Sequence, residues 1–309
     1  AGLCGSDVHA FLGELPTVRF PVVPGHEFSG TIVAMGKEVR RYKKKGDEVV
    51  AEPFIPCGKC YSCKHTLYYL CEELEFMGTQ VNGAFGQYVT IHQERVHSIP
   101  QELDLKEAVF TEPLAVAVHA VKEAKISPQD YVLIIGAGTI GVLVLQVAKS
   151  LGAEVIITDI SDSKLNIAKN LGADRIVNVT KTPIESLFTH DFKKENVDVV
   201  LDCAGIPSDV AKLTNMVRKG IRIISIGAIT EKKIELSIGL ITKKELKVMG
   251  SFLYTSQDFE QAMQYLSKGL IEITPLISHI LPLDKIREAY SLFISDKIHT
   301  SKILIDIAG

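Results

Sequence analysis

The apolar positions between Tyr131 and Leu151 change their period halfway. Tyr131-Val132-Leu133-Ile134-Ile135 is an unbroken run that stops at Gly136, and from Thr139 the apolar residues continue in a helical pattern. A short, β-branched run bounded by glycine predicts a fully buried strand, and the longer pattern after it predicts a helix. The alternation recurs downstream. Strands are predicted over 131–136, 154–159, 175–179, 197–203, 221–227 and 246–250, with helices over 139–151, 163–171 and 208–218. Six strands joined by crossovers of this length predict an α/β fold with a doubly wound parallel sheet.

Upstream, the units are shorter and punctuated by glycine and proline. Residues 31–34 and 48–51 read as strands, with Pro21, Pro24 and Gly25 before them. Run lengths there predict a small, mainly antiparallel barrel. Lys43-Lys44-Lys45-Gly46-Asp47 reads as a solvated, charged turn. Downstream come a helix over 257–268, a turn at Thr274-Pro275, a helix over 283–295 and a strand over 301–307, which returns most simply to the first domain. The expected organisation is therefore residues 1–112 with 252–309 as one domain and 113–251 as the other.

Composition changes this picture little. With 309 residues, 46% hydrophobic and 23% charged, the chain has ordinary globular composition and length for two cores. The one segment approaching a membrane span in length, 131–148, is broken by three glycines and bounded by Asp130 and Lys149, so a buried α/β unit explains it better. A net charge of -3 lacks the basic footprint of a nucleic-acid or anionic-lipid binder, which leaves a small, diffusible substrate as the expectation. The first residues show no secretory signal pattern.

Charged and sulfur-bearing residues add three candidate sites. Gly136, Gly138 and Gly141 fall in the spacing G-x-G-x-x-G between the first predicted strand and helix, where a tight turn, a close pyrophosphate and a helix N-terminus meet. Asp159, at the end of the next strand and 18 residues after Gly141, stands where a carboxylate accepts the ribose hydroxyls of NAD and repels the 2′-phosphate of NADP. It also fits as a cap for the helix that follows at Ser161 or Ser163. Lys164 keeps some tolerance of NADP open.

Cys57, Cys60, Cys63 and Cys71, spaced C-x2-C-x2-C-x7-C, are too crowded to pair easily as disulfides and supply a full tetrahedral set for a closed, structural zinc. That usage implies a reducing, cytoplasmic setting. Cys4, His26 and Glu27 are donor types of a catalytic zinc that keeps a position open, although a buried cysteine and a core histidine explain the same residues without metal. The remaining histidines (His65, His92, His97, His119, His190, His279 and His299) have no partner visible in sequence.

Taken together, Gly2-Leu3-Cys4-Gly5-Ser6-Asp7-Val8-His9, Pro24-Gly25-His26-Glu27-Phe28-Ser29-Gly30, the cysteine lobe, Asn82-Gly83-Ala84-Phe85-Gly86-Gln87-Tyr88-Val89, Glu112-Pro113-Leu114-Ala115 and the glycine fingerprint with Asp159 resemble the zinc-containing medium-chain dehydrogenases. Within them the chain is most similar to the polyol branch, with its sorbitol, threonine and butanediol dehydrogenases. The resemblance implies a GroES-like barrel carrying a zinc lobe over about 54–75, beside a Rossmann NAD-binding domain. It implies too that strands preceding the Gly-Leu-Cys motif in family members are missing here.

By the same resemblance, Cys4, His26 and Glu27 match the catalytic zinc ligands. Glu112 matches an acidic residue near that metal, where other zinc alcohol dehydrogenases have cysteine. Ser6 and His9 match a proton path that runs through the cofactor ribose to solvent. Thr139, Ile140, Ile160, Lys164, Cys203 and Gly227 complete the expected cofactor site. The implied activity is hydride transfer between a secondary alcohol of a polyol or small diol and NAD, in a homodimer or homotetramer. Leu253 stands where sorbitol dehydrogenase has arginine, which weakens the case for sorbitol itself, and Tyr254 is expected as a pocket wall. L-threonine 3-dehydrogenase and a non-catalytic zinc- and NAD-binding protein are the alternatives.

Overall fold

The computed structural model describes residues 1–39, 43–188, 197–205, 207–227 and 233–307. Two compact units result, Val116–Phe252 as one and Ala1–Ala115 with Leu253–Gly309 as the other.

The central unit is built on one six-stranded sheet. Its strands are Tyr131–Ile135, Glu154–Asp159, Arg175–Asn178, Val199–Asp202, Arg222–Ser225 and Lys247–Gly250. All pairings are parallel, and numbering these strands one to six in chain order gives the spatial order 6-5-4-1-2-3. The reversal lies between the first and fourth strands, at whose carboxyl ends such sheets bind ligands. Leu133, Ile156, Val200 and Ile223 are fully buried in neighbouring strands. Removing each of these side chains from water contributes roughly 1.5–3 kcal/mol, which specifies the register. Helix Thr139–Ser150 is buried continuously from Gly141 to Ala148 and has no polar face. Helix Asp162–Asn170 buries only Leu165 and Ala168 and starts at Ser161, whose Oγ accepts from the Lys164 amide. Among the predicted residues of this region, His190 lies outside the described ones.

Among its described residues the other unit holds three small sheets. Ser29–Thr31, Glu48–Ala51 and Val96–Ser98 are antiparallel neighbours, and Phe54–Ile55 pairs antiparallel with Glu75–Phe76. Lys302–Asp306 pairs antiparallel with Gly2–Leu3 and parallel with Ile277–Pro282, so the last strand returns beside the first residues of the chain. Helices Gly5–Phe11, Ser256–Ser267 and Ile286–Ser295 lie in this unit. Helix Thr111–Glu123 begins in it.

Several elements were not foreseen: Gly5–Phe11, Thr111–Glu123, Ile238–Lys244 and the strand Ile277–Pro282. Glycine or proline stands in the first turn of each of these three helices, where it is tolerated. Lys43 departs from the solvated turn expected for the lysine run: it is buried and its Nζ donates to the Val96 carbonyl at 2.7 Å. Lys44 and Lys45 are exposed as expected. Among the described residues no helix is long and apolar enough to cross a membrane.

Candidate active site and metal centres

The glycine turn is shaped by backbone geometry. Gly136 has φ +97°, in the left-handed region that favours glycine. A Cβ on Gly141 would fall 1.8 Å from the Gly136 carbonyl oxygen, so only glycine lets the helix start this close to the strand. Around Gly138 the space is open. Gly138 caps helix Thr139–Ser150 without a side-chain bond, so the first amides, those of Thr139 and Ile140 among them, head a helix at an open position. That combination fits a pyrophosphate.

Asp159 accepts from the Ala137 amide at 2.7 Å with Oδ2 and from the Ser161 amide at 2.9 Å with Oδ1. Asp159 thus braces the glycine turn and the approach to the next helix, which Ser161 caps in its place, and its oxygens keep lone pairs for further donors. Ile160, next to it, is 62% exposed. Cys203 and Gly227 follow the fourth and fifth strands at the same carboxyl edge, with amides bonded to Ile135 and Asp202 carbonyls. Burial pushes the Cys203 thiol far up, so it is packed rather than nucleophilic. A Cβ on Gly227 would meet the Cys203 carbonyl at 2.9 Å.

In the other unit, the Sγ atom of Cys4, a ring nitrogen of His26 and a carboxylate oxygen of Glu27 lie within 4.8 Å of one another. Cys4 precedes helix Gly5–Phe11, and Asp7 in the first turn accepts from the Cys4 amide at 3.0 Å. The other Asp7 oxygen accepts from the Gly25 amide at 3.3 Å and lies 3.3 Å from His26 Nδ1. That last pair is close but not aligned as a hydrogen bond, and His26 Nδ1 is otherwise unsatisfied and buried. Burial works against the His26 imidazolium, but Asp7 and the Cys4 sulfur outweigh it, and the His26 pKa rises well above its ordinary value. A metal at this cluster would displace that proton.

Glu27 is almost wholly buried, and both its oxygens lie 2.6 Å from Lys302 Nζ. A Cβ on Gly2 would fall 2.2 Å from Glu27 Oε2, so the first strand lies against this carboxylate as only glycine allows. Ser6 Oγ is 3.4 Å from His26 Nε2. One turn later, half-exposed His9 pairs its Nδ1 with Glu14 at 2.5 Å. Glu112 stands outside the three-donor cluster; it is buried and accepts from Tyr254 Oη at 3.1 Å. Burial raises the Glu112 pKa from about 4.5 to about 7 against the pull of His26. Tyr254, expected as a pocket wall, is fully buried and bonded to this acid.

Cys57, Cys60, Cys63 and Cys71 place their sulfurs within 4.8 Å of one another. Cys57 and Cys63 Sγ are 4.0 Å apart, and Cys60 and Cys71 Sγ 3.9 Å. Disulfide sulfurs sit at about 2 Å, whereas four thiolates at about 2.3 Å from one zinc stand about 3.8 Å apart. The Cys63 and Glu72 amides lower the Cys60 pKa to about 6, which favours the thiolate. All six cysteines are free.

Asp7, Lys302 and Glu14 were missed as site residues. Asp7 had a signal, a carboxylate three residues after Cys4 as in a helix cap. Lys302 had none, being 275 residues from Glu27. Of the histidines without a visible partner, His97 bonds Glu52 at 2.9 Å and His299 bonds Asp296 at 2.7 Å.

Comparison with known proteins gives the family. Residues 1–101 match the alcohol dehydrogenase GroES-like domain, and residues 139–268 match the zinc-binding dehydrogenase family. The chain is 37% identical over 293 residues to D-arabitol-phosphate dehydrogenase of Enterococcus avium, covering 94% of this chain and 83% of that one. It is 35% identical over 292 residues to sorbitol dehydrogenase of Halalkalibacterium halodurans, covering 94% and 84%. The crystal structure of an Escherichia coli alcohol dehydrogenase complexed with NADH superposes with a TM-score of 0.92 at 32% identity, covering 99% of this chain and 89% of that chain. The chain belongs to the zinc-containing medium-chain dehydrogenases, in their polyol branch, and is an oxidoreductase.

Proposed function

We propose that this protein oxidises a secondary hydroxyl of a polyol or small diol with NAD, and runs the reverse reduction. The observation that carries the reading is the cluster of partly exposed Cys4 with buried His26 and Glu27, three mixed donors beside an acid, Glu112, that is held separately by Tyr254. A three-donor set leaves a metal position open for substrate, unlike the closed set of four cysteines. Names of relatives support the substrate class, since D-arabitol phosphate and sorbitol are polyol compounds.

In this reading Cys4, His26 and Glu27 hold the catalytic zinc, with Glu112 near it, and Cys57, Cys60, Cys63 and Cys71 hold the structural one. Zinc would supply a Lewis acid that lowers the pKa of the substrate hydroxyl, and NAD a hydride acceptor. Ser6, beside His26, would relay the hydroxyl proton by giving up its own as it accepts one, and half-exposed His9, held by Glu14, would deliver a proton to solvent. Asp7 orients His26, and Lys302 balances the charge of Glu27. The amides after Gly136 and Gly138 receive the pyrophosphate, and Asp159 the adenosine ribose, with Thr139, Ile140, Ile160, Lys164, Cys203 and Gly227 around them. The domain division follows: 1–112 with 252–309 carries the zinc chemistry, and 113–251 binds NAD. We place the protein in the cytoplasm, as its free cysteines suit, and assign it a homodimer or homotetramer by likeness to its family.

The test is a turnover assay of zinc-loaded protein on sugar alcohols, their phosphates, butanediol and threonine, each with NAD and with NADP. Turnover of polyols with NAD supports the proposal. Activity on threonine alone would sink it, and zinc held only by the cysteine lobe would favour a protein without catalysis.

A further inference from the structure

We infer that Glu52 is the hub of a buried polar relay that positions Tyr254, and through it Glu112, and that ties both to the four-cysteine lobe. The inference rests on the reaction proposed above for its catalytic consequence.

Glu52 follows the strand Glu48–Ala51 and its side chain is wholly buried. Oε1 lies 2.9 Å from His97 Nε2 and accepts from Ser256 Oγ at 2.5 Å. Oε2 accepts from Arg95 at 3.1 Å and from Tyr68 Oη at 3.4 Å. Three segments, at Tyr68, Arg95–His97 and Ser256, therefore converge on one carboxylate. Apolar side chains would fill such a space at less electrostatic cost, because a buried ion pair adds little net stability over hydrophobic packing. The proposed proton path uses none of these groups. What the hub supplies is placement.

Two arms leave it. One is Tyr68, in the 3-10 turn Tyr68–Leu70 inside the Cys57–Cys71 loop. Its hydroxyl bonds Ser256 Oγ and accepts from the Ser256 amide at 2.5 Å, and the Arg95 guanidinium lies 4.1 Å from its ring centroid. The other arm is the start of helix Ser256–Ser267, whose first residue is Ser256 and whose cap is the reciprocal pair Thr255 and Asp258. Glu52 thus also places negative charge at a helix N-terminus.

Two residues before Ser256 stands Tyr254, fully buried between Phe54 and Phe259, with ring centroids 5.5 and 5.6 Å away, and its hydroxyl donates to Glu112. Leu253, just before it, has φ +50°, a left-handed conformation that a branched residue holds only where its surroundings over-determine it. The hub fixes one side of that strained step, and the Tyr254–Glu112 bond reads out the result. Tyr68, Glu52 and Ser256 are positioning residues by this argument.

The test is a double-mutant cycle of Tyr68→Phe and Tyr254→Phe in the zinc-loaded full chain. Phenylalanine keeps the rings and their packing, so both variants should fold where Glu52→Ala would strand Arg95. Steady-state kinetics on a turned-over polyol, zinc content and denaturant unfolding are measured for each. We expect Tyr68→Phe to lower kcat about 5–10-fold with KM little changed and zinc content intact, Tyr254→Phe to lower it more, and the double variant to match Tyr254→Phe within about twofold, since neighbours in one network couple. Multiplying effects, or a Tyr68→Phe variant within about twofold of the parent, would overturn the inference. If no alcohol is turned over with either cofactor, the proposed function fails; coupling of the two tyrosines in the unfolding free energies then still supports the relay, and its absence overturns it.

Discussion

The two metal-type clusters of this chain are built in opposite ways. The cysteine lobe collects four identical donors from 15 consecutive residues, with three of the four partly exposed. Its ion pair Lys59–Glu73 is 72% and 62% exposed at the side chains. The Cys4–His26–Glu27 cluster collects three different donors from two turns, and each is braced: Cys4 and His26 by Asp7, Glu27 by Lys302 from the far end of the chain. A closed soft-donor set needs little from its surroundings because its four ligands are already the whole coordination sphere. An open, mixed set has to be held in shape by the fold before any metal enters, and it is this set that the tertiary structure buries and props.

The difference can be broken hardest at His26. Because a Lewis acid contributes several kcal/mol to the transition state, His26→Ala should lower kcat/KM by ~10³-fold or more, while metal analysis shows the lobe zinc retained. Loss of both metals together would mean that the clusters are not independent in the way their geometry says. Next comes the bracing of Glu27. Lys302→Met leaves a buried carboxylate without its cation and should cost about 3–5 kcal/mol of unfolding free energy, read from denaturant midpoints. Lys59→Met, at the exposed pair of the lobe, should leave the midpoint unchanged.

The pH dependence of metal-free protein sharpens the contrast. Glu112 is raised to about 7, so the folded state holds a proton that the unfolded state loses from about 4.5 upward. Its contribution to stability is complete below about 4.5 and disappears as pH rises through 7. Chelator-treated protein should therefore lose on the order of 3 kcal/mol over that window, and Glu112→Gln should remove this part of the loss. His26, raised above 6.5, adds a loss in the same direction at higher pH. A smaller effect is expected at Asp7. Asp7→Asn keeps the shape but weakens the bracing of His26, and should reduce zinc affinity at that cluster ~10–100-fold in a competition titration, without touching the lobe.

Legibility in the sequence followed the same division. The inner strands of the central sheet were readable because they are buried on both faces and bounded by glycine or charge, as Tyr131–Ile135 and Val199–Asp202 show. Boundaries moved by a residue or two where pairing stops, as at Val199–Asp202. Helix Thr111–Glu123 escaped because proline in its first turn reads as a breaker, although the missing amide costs nothing there. Lys43 misled because a lysine run looks solvated, whereas the Val96 carbonyl draws its ammonium group inward. For the candidate sites, motif spacing brought out the donors, but nothing local pointed to Glu52, Tyr68 and Ser256 as neighbours.

By itself the sequence determined what depends on short range: the period of burial, the glycine turn at Gly136, the spacing of the four cysteines and the chemistry offered by Cys4, His26 and Glu27. Only the tertiary structure decided which charges are compensated. Lys302 meets Glu27 because the last strand runs antiparallel to the first, and Tyr254 meets Glu112 because Glu52 anchors the helix that follows it. Burial makes an unpaired charge expensive, and which partner lies within hydrogen-bonding reach is set by strand pairing rather than by distance along the chain.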